Sequence, residues 1–197
     1  MKALRFYCLL TLTIFSTASA QNADIRLLRD INLNRNTQLD GFFKGVTNTT
    51  VLVAFSVPVI VMGVGLIKND VPTQRKAVVI GAGLVASSGI TYVMKRAINR
   101  PRPFVTYPGI QKLTDGGSPS FPSGHTSLAF ATATSLSLEN PKWYVIVPSY
   151  AWAGAVGYSR LHLGVHYPSD VLAGAVTGAG SSFVTYKVNR WLQGRKK

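Results

Sequence analysis

Two long stretches without a charged residue limit what this chain can fold into. The first runs from Gly45 to Ile67 and the second from Ala77 to Met94. Each has about the length that an apolar helix needs to cross a bilayer. Three later charge-free stretches are shorter and rich in Gly, Ala, Ser and Thr, a composition that lets helices pack closely in lipid. These stretches are Thr126–Leu138, Trp143–Ser159 and Val171–Tyr186. We therefore predict an all-α polytopic membrane helix bundle of about five transmembrane helices. Taken alone, the later three stretches would also fit buried helices of a soluble bundle.

The balance of charge narrows the possible partners. A chain of 197 residues is expected to form one domain, and only 14% of its residues are charged, against about 25% in soluble domains. Lys and Arg outnumber Asp and Glu by 21 to 7, a net charge of +14. This excess fits nucleic acid, anionic lipid or a phosphorylated substrate, but the apolar stretches argue against a nucleic-acid-binding module. The single cysteine, Cys8, excludes an intramolecular disulfide and a cysteine metal site.

Residues 1–20 have the features of a signal peptide. A basic start precedes an apolar stretch, and Ala18-Ser19-Ala20 fits the small-residue pattern of a cleavage site. An uncleaved signal anchor is the alternative. In either case we expect Gln21 to lie outside the cytoplasm.

Residues 21–44 show a different pattern. Ile25, Leu28 and Ile31 recur at every third position among charged residues. This spacing predicts an amphipathic segment, periplasmic or interfacial, whose helix lies on the membrane or on the bundle. An ordinary surface helix fits the pattern equally well.

The order of the helices predicts where their polar ends meet. We predict that residues 45–190 form a helical domain in which successive helices alternate in direction. Residues 191–197 then form a basic cytoplasmic tail. The numbers of Lys and Arg residues are similar on the two sides of the membrane, so the orientation is predicted from the signal peptide rather than from the charge bias. This antiparallel arrangement places one set of polar residues on the outer face: Lys95, Arg102, His125, Arg160, His166 and Asp170.

The first two polar segments suit the binding of a phosphate. Residues 95–103 carry four cations where a helix ends at prolines, although an interfacial basic anchor is an alternative. Residues 122–125 read Pro-Ser-Gly-His. Ser123 is predicted to be the N-cap of the next helix, and Gly124 lets a phosphate approach the N–H groups of the helix start. His125 is then placed to protonate a leaving oxygen.

The third polar segment completes the set. Ser169 is predicted to be the N-cap of the last helix, which puts Asp170 in its first turn, close behind His166. A carboxylate there can hold one imidazole nitrogen and leave the other as a nucleophile. The spacing of His162, His166 and Asp170 would also suit metal ligands, but Pro168 interrupts the helical face and nearby cations repel a metal. We interpret His162 as a structural or substrate-facing residue.

These three segments resemble the signature of the type 2 phosphatidic acid phosphatase (PAP2) family, which includes acid phosphatases and vanadium haloperoxidases. That signature reads Lys-x6-Arg-Pro, then Pro-Ser-Gly-His, then Ser-Arg-x5-His-x3-Asp. Every specified position is present in the same order between Lys95 and Asp170. The resemblance implies the helical fold of that family for about residues 45–190.

The resemblance also implies a role for each matching residue. His166 would attack phosphorus and form a phosphohistidine, Asp170 would orient it, and His125 would act as general acid and then as base. No metal or other cofactor is expected, and no role carries over to His162. The phosphoryl oxygens would be bound by Lys95, Arg102, Ser123, Gly124 and Arg160.

Sequence and resemblance together favour a membrane-bound lipid phosphate or diphosphate phosphatase. We expect a multi-pass protein of a bacterial inner membrane whose active site faces the periplasm, with a phosphorylated lipid and membrane lipids, not nucleic acid, as partners. Candidate substrates are undecaprenyl diphosphate, phosphatidylglycerol phosphate, phosphatidic acid and a lipid A phosphate. The alternatives are a soluble periplasmic acid phosphatase, a non-enzymatic membrane transport or interaction protein, and a vanadate-dependent haloperoxidase. The small size and the apolar stretches argue against the last. The oligomeric state is left open.

Overall fold

The computed structural model describes residues 23–194, and every regular element in that range is helical. The predicted signal peptide and the last three residues of the predicted tail lie outside the described residues. The elements are α1 (residues 23–33), a 3-10 turn (Thr37–Leu39), α2 (Asp40–Ile67), α3 (Val71–Ile98), α4 (Pro103–Thr106), α5 (Gly124–Glu139), α6 (Trp143–His162) and α7 (Pro168–Gly194).

Each charge-free stretch lies within one long helix, so the predicted all-α architecture is confirmed. α2 begins earlier than the apolar pattern indicates, at Asp40 rather than Gly45, because the 3-10 turn leads directly into it. The helix continues through Pro58. α3 is closed by Asn99, whose backbone is left-handed with φ of 46°. A left-handed residue is a common way to end a helix, and here it releases the chain into the loop that forms part of the site.

α5 is the central helix and packs against α2, α3, α6 and α7. Its buried side chains are small, as at Ala129 and Ala131, which lets the neighbouring helices come close. Its hydroxyls are paired with those of α3: Ser127 Oγ lies 2.8 Å from Ser87 Oγ and accepts a hydrogen bond from Thr91 Oγ1 at 2.9 Å. Since α5 faces protein on all sides, it needs less hydrophobicity than a helix that faces lipid.

The outer helices turn large apolar side chains away from the bundle. Phe55 on α2 is 61% exposed and Val85 on α3 is 73% exposed, and α6 and α7 show similar residues. Within residues 23–194, two segments are long and apolar enough to cross a membrane, Thr37–Ile67 and Val71–Thr106, and 18-residue windows within them have mean hydropathies of 2.5 and 1.8. Such a surface is unfavourable in water and fits contact with lipid.

α1 docks on the end of the bundle. Its apolar residues Ile25 and Leu28 are buried against Ile110, Leu161 and Tyr167. The apolar face that the three-residue spacing predicted therefore contacts the bundle.

Close packing of α7 on α5 predicts that two nearby glycines respond differently to an added methyl group. A Cβ at Gly178 would lie 2.1 Å from the carbonyl oxygen of Ser127, whereas a Cβ at Gly180 would meet no atom of another helix within 4 Å. We expect Gly178→Ala to destabilise the protein by about 1–3 kcal/mol, the usual effect of overpacking. The midpoint of thermal denaturation in detergent should fall accordingly.

Gly180→Ala is the matched control on the same helix. It should leave the midpoint unchanged or raise it slightly, because alanine is a better helix former than glycine. Equal midpoints for the two variants would contradict the packing described for α5 and α7.

Candidate active site

Four helix ends and the loop between α4 and α5 meet at one end of the bundle. Lys95 lies in the last turn of α3, His125 is the second residue of α5, and Arg160 lies in the last turn of α6. Asp170 lies in the first turn of α7. The antiparallel arrangement of the helices therefore brings the three polar segments together, as expected. They surround a cavity of about 220 Å³, whose wall includes Lys95, Arg102, Gly124, His125, Arg160 and His166.

Backbone carbonyl groups hold two of the cations at this cavity. Lys95 Nζ donates to the carbonyl oxygen of Pro119 at 2.5 Å. Arg102 donates from Nε to the carbonyl of Ser118 at 2.7 Å and from Nη1 to that of Val165 at 2.8 Å. Carbonyl groups orient the cations without cancelling their charge. The cavity therefore remains positive and suits an anion.

The start of α5 presents its backbone to the same cavity. Ser123 is the N-cap, as predicted, and its hydroxyl accepts hydrogen bonds from Thr126 N–H at 3.4 Å and Thr126 Oγ1 at 2.8 Å. Ser123 is fully buried and does not line the cavity, whereas Gly124 and His125 do. The N–H groups of a first helical turn have no intrahelical acceptor, so this helix start can bind an anion.

Arg160 is a buried cation with an unused donor. Its Nη1 donates to Thr47 Oγ1 at 2.5 Å and its Nη2 to the carbonyl of Asp115 at 3.5 Å. Its Nε has no hydrogen-bond partner among the residues that the structure describes. A buried donor without an acceptor is unfavourable. Arg160 also lines the cavity, where its positive charge favours an anion.

His166 lies between Asp170 and Arg102. Its Nδ1 is 3.4 Å from Asp170 Oδ2, and its Nε2 is 3.3 Å from Arg102 Nη1. Burial and the charge of Arg102 lower the pKa of His166 to about 3, although Asp170 favours the protonated ring. The ring is therefore neutral near pH 7. With its proton on Nδ1, facing Asp170, the ring keeps a lone pair on Nε2 at the cavity.

More groups fix the carboxylate of Asp170 than the sequence predicted. Its Oδ2 accepts hydrogen bonds from Tyr167 N–H at 2.9 Å and from the hydroxyl of Ser120, and its Oδ1 accepts one from Arg100 Nη1 at 2.7 Å. Sequence reasoning missed Ser120 and Arg100 as parts of the site. Arg100 belongs to the basic segment already singled out, whereas no pattern in the sequence marked Ser120.

The prediction that Ser169 is the N-cap of the last helix is wrong. α7 begins at Pro168, so Ser169 is its second residue. Proline suits the first helical position because it has no N–H group to leave unpaired. The helix start is capped by Asp170, which reaches back to Tyr167 N–H. The predicted place of Asp170 in the first turn is confirmed.

His162 lies away from the cavity and connects α6 to the start of α2. Its Nε2 is 2.7 Å from Asp40 Oδ1, and its ring packs on Phe43 with centroids 4.4 Å apart. It therefore does not join His166 and Asp170. Within residues 23–194, no group of three or more His, Cys, Asp and Glu side chains is arranged to hold a metal ion.

Comparison with known proteins finds relatives over most of the bundle. The sequence matches the PAP2 superfamily over residues 76–193. An undecaprenyl-diphosphatase of Sulfolobus acidocaldarius is 38% identical over 117 residues, which are 55% of this chain and 55% of the relative. Undecaprenyl-diphosphatase BcrC of Bacillus subtilis is 28% identical over 164 residues, which are 81% of this chain and 80% of the relative. The chain thus spans about half the length of the first relative and four fifths of the second.

A solved structure shares the fold over nearly the whole chain. A transmembrane PAP2-type phosphatidylglycerolphosphate phosphatase from Bacillus subtilis superposes with a TM-score of 0.72 at 25% identity, covering 92% of this chain and 94% of that one. The five long helices accordingly form a polytopic membrane bundle. The superfamily match contains all three polar segments that meet at the cavity, and this chain belongs to the PAP2 superfamily.

Proposed function

We propose that this protein is a membrane-bound phosphatase that hydrolyses a lipid phosphate or diphosphate through a phosphohistidine. The observation that carries the proposal is the neutral, buried His166. Asp170 lies on one side of its ring, and a cavity with three cations lies on the other. A lone pair directed into a cationic cavity suits attack on phosphorus.

The reaction would proceed in two steps. In the first, Nε2 of His166 forms a bond to phosphorus while the bond from phosphorus to the leaving oxygen breaks, and His125 gives that oxygen a proton. In the second, a water molecule attacks the phosphohistidine, His125 takes a proton from the water, and the P–N bond breaks to restore His166. Asp170 stabilises the ring while it carries positive charge.

The cations would stabilise the charge that develops on the phosphoryl oxygens. Lys95, Arg102 and Arg160 face the cavity, and the N–H of Gly124 lies at the start of α5. Donors already oriented for this purpose need little rearrangement during the reaction. Ser123 contributes by fixing that helix start, since its hydroxyl is engaged by Thr126.

A lipid substrate is supported by a second cavity beside the first. A groove of about 360 Å³ between α3 and α5 shares Lys95, Ser118 and Gly124 with the phosphate cavity and is further lined by Tyr92 and Leu128. A phosphate at the cations could therefore carry an apolar chain along the groove. Two relatives named undecaprenyl-diphosphatase make undecaprenyl diphosphate the first candidate, followed by phosphatidylglycerol phosphate, phosphatidic acid and lipid A.

We place the active site at the periplasmic face of the inner membrane, on the support of the predicted signal peptide. The proposal predicts that Gly109→Cys, in the loop at the active-site end, reacts with a membrane-impermeant maleimide in intact spheroplasts. Lys142→Cys, at the opposite end, should react only after permeabilisation. Both variants are made in a Cys8→Ser background. The reverse labelling pattern would place the site in the cytoplasm.

The nucleophile is tested by phosphate release from a panel of lipid phosphates and diphosphates with detergent-purified protein. We expect His166→Ala to lower kcat by at least about a thousandfold, because no covalent intermediate can form. His162→Gln is the control and should remain within about tenfold of the parent protein, since glutamine can still bond Asp40. If His166→Ala hydrolyses the panel as fast as the parent protein, the mechanism is wrong.

The low pKa of His166 predicts how the phosphorylation step depends on pH. An ordinary imidazole with a pKa near 6.5 loses about fifteen-fold of its neutral form between pH 6.5 and pH 5. Because burial lowers the pKa of His166 to about 3, its neutral form persists over this range. Phosphoenzyme formation in a single turnover from an aryl phosphate with a good leaving group, which needs no proton from His125, should fall by less than about threefold after correction for the titration of the substrate phosphate. A fifteen-fold decline would show that His166 titrates as an exposed histidine does.

A further inference from the structure

An acidic residue of α1 reaches the active site from outside the part of the chain that matches the PAP2 superfamily. Asp24 lies in residues 23–33, whereas the match begins at residue 76. Its side chain is only 8% exposed. Its Oδ1 accepts a hydrogen bond from Ser169 N–H at 2.8 Å, and its Oδ2 accepts one from Arg100 Nη2 at 2.7 Å. The Ser169 hydroxyl also donates to Oδ2.

Arg100 connects this carboxylate to that of Asp170. While Nη2 bonds Asp24, Nη1 bonds Asp170 Oδ1 at 2.7 Å. The guanidinium also lies 3.8 Å from the ring centroid of Tyr167. Arg100 is thus held between two carboxylates over an aromatic ring, with Nη2 on Asp24 and Nη1 shared between Asp170 Oδ1 and, at 2.7 Å, the hydroxyl oxygen of Ser169.

This division of partners matters for His166. An arginine beside a single carboxylate tends to bind both oxygens at once. Asp24 occupies Nη2, so Arg100 contacts Asp170 through Oδ1, and Oδ2 remains the oxygen that faces His166 Nδ1 at 3.4 Å. Without Asp24, the released Nη2 of Arg100 could turn to Oδ2 of Asp170, which already accepts from Ser120 and Tyr167, and so compete with His166 for that oxygen.

We propose that Asp24 is a positioning residue for His166, acting through Arg100 and Asp170. It keeps Arg100 on one oxygen of Asp170. The expected tautomer of His166, with its proton on Nδ1, then depends on a carboxylate supplied by α1. The kinetic consequences rest on the proposed phosphatase function, whereas the tautomer does not.

The docking of α1 does not depend on Asp24 alone, which makes the proposal testable. Ile25 and Leu28 are buried in the bundle, and Asn32 Nδ2 donates to the carbonyls of Gln111 at 3.1 Å and His162 at 2.9 Å. Variants at Asp24 should therefore keep α1 in place. Asp30 on the same helix is exposed and serves as the matched control.

The first measurement is the tautomer of His166 by ¹⁵N NMR of histidine-labelled protein in detergent. The chain has three histidines, so the signals can be assigned with single His→Gln variants. We expect the Nδ1–H form in the parent protein and in Asp30→Asn, and loss of this form in Asp24→Asn and Asp24→Ala. Retention of the Nδ1–H form in both Asp24 variants would overturn the proposal, whatever reaction the protein catalyses.

The second measurement is steady-state hydrolysis of a lipid phosphate. We expect Asp24→Ala to lower kcat by about tenfold or more while KM changes less than about twofold, since the phosphate cavity is intact. Asp30→Ala should match the parent protein. Because Asp24 acts through Arg100, adding Asp24→Ala to Arg100→Ala should cause no further loss. Additive losses, or a lowered denaturation midpoint that accounts for the loss in Asp24→Ala, would assign Asp24 a structural role and overturn the proposal.

Discussion

The hydrogen bonds of the buried carboxylate of Asp170 hold the active site together. Asp170 caps α7 through Tyr167 N–H and faces the ring of His166. It also accepts hydrogen bonds from Arg100, just after α3, and from Ser120, in the loop between α4 and α5. Its own backbone carbonyl accepts the N–H of Ser123, the N-cap of α5, at 2.9 Å. A single residue thus sets the start of two helices and the orientation of the nucleophile. Burying an unpaired charge is very unfavourable in free energy, and these hydrogen-bond partners offset that cost for the carboxylate.

The remaining charges of the site explain why an anion should bind there. The negative charge of Asp170 is matched mainly by Arg100, which stands outside the cavity wall. In the described part of the chain, Lys95 and Arg102 form hydrogen bonds only with uncharged groups, which are backbone carbonyls, the Ser118 hydroxyl and the neutral ring of His166. The Nε of Arg160 has no hydrogen-bond partner among residues 23–194. Three cations against the one carboxylate of the wall, that of Asp115, leave the cavity with a surplus of positive charge. A phosphate group supplies the missing negative charge and can accept hydrogen bonds from the cations of the cavity wall.

The sequence predicted the bundle and most of the cavity, because both follow from local pattern. Charge-free stretches indicated the five long helices, and alternating direction brought the polar segments to one end. The groups around Asp170 escaped prediction because their contacts join distant positions, as between Ser120 and Asp170 or Arg100 and Asp24. The start of α7 was misplaced because local rules favour serine as a cap, whereas here Asp170 satisfies the N–H of Tyr167 from within the helix. The sequence shows the low hydropathy of α5 but not its reason, which is that the neighbouring helices shield α5 from lipid.

A structure with bound orthovanadate would show whether Nε2 of His166 is a nucleophile held at a phosphate cavity. Vanadate adopts the five-coordinate geometry of a phosphoryl group under attack. We expect a bond from vanadium to Nε2 of His166, with the vanadate oxygens contacting Lys95, Arg102 and Arg160 and with His125 beside the apical oxygen. Vanadate bound elsewhere, or bound in the cavity through His125 with His166 unattached, would contradict it.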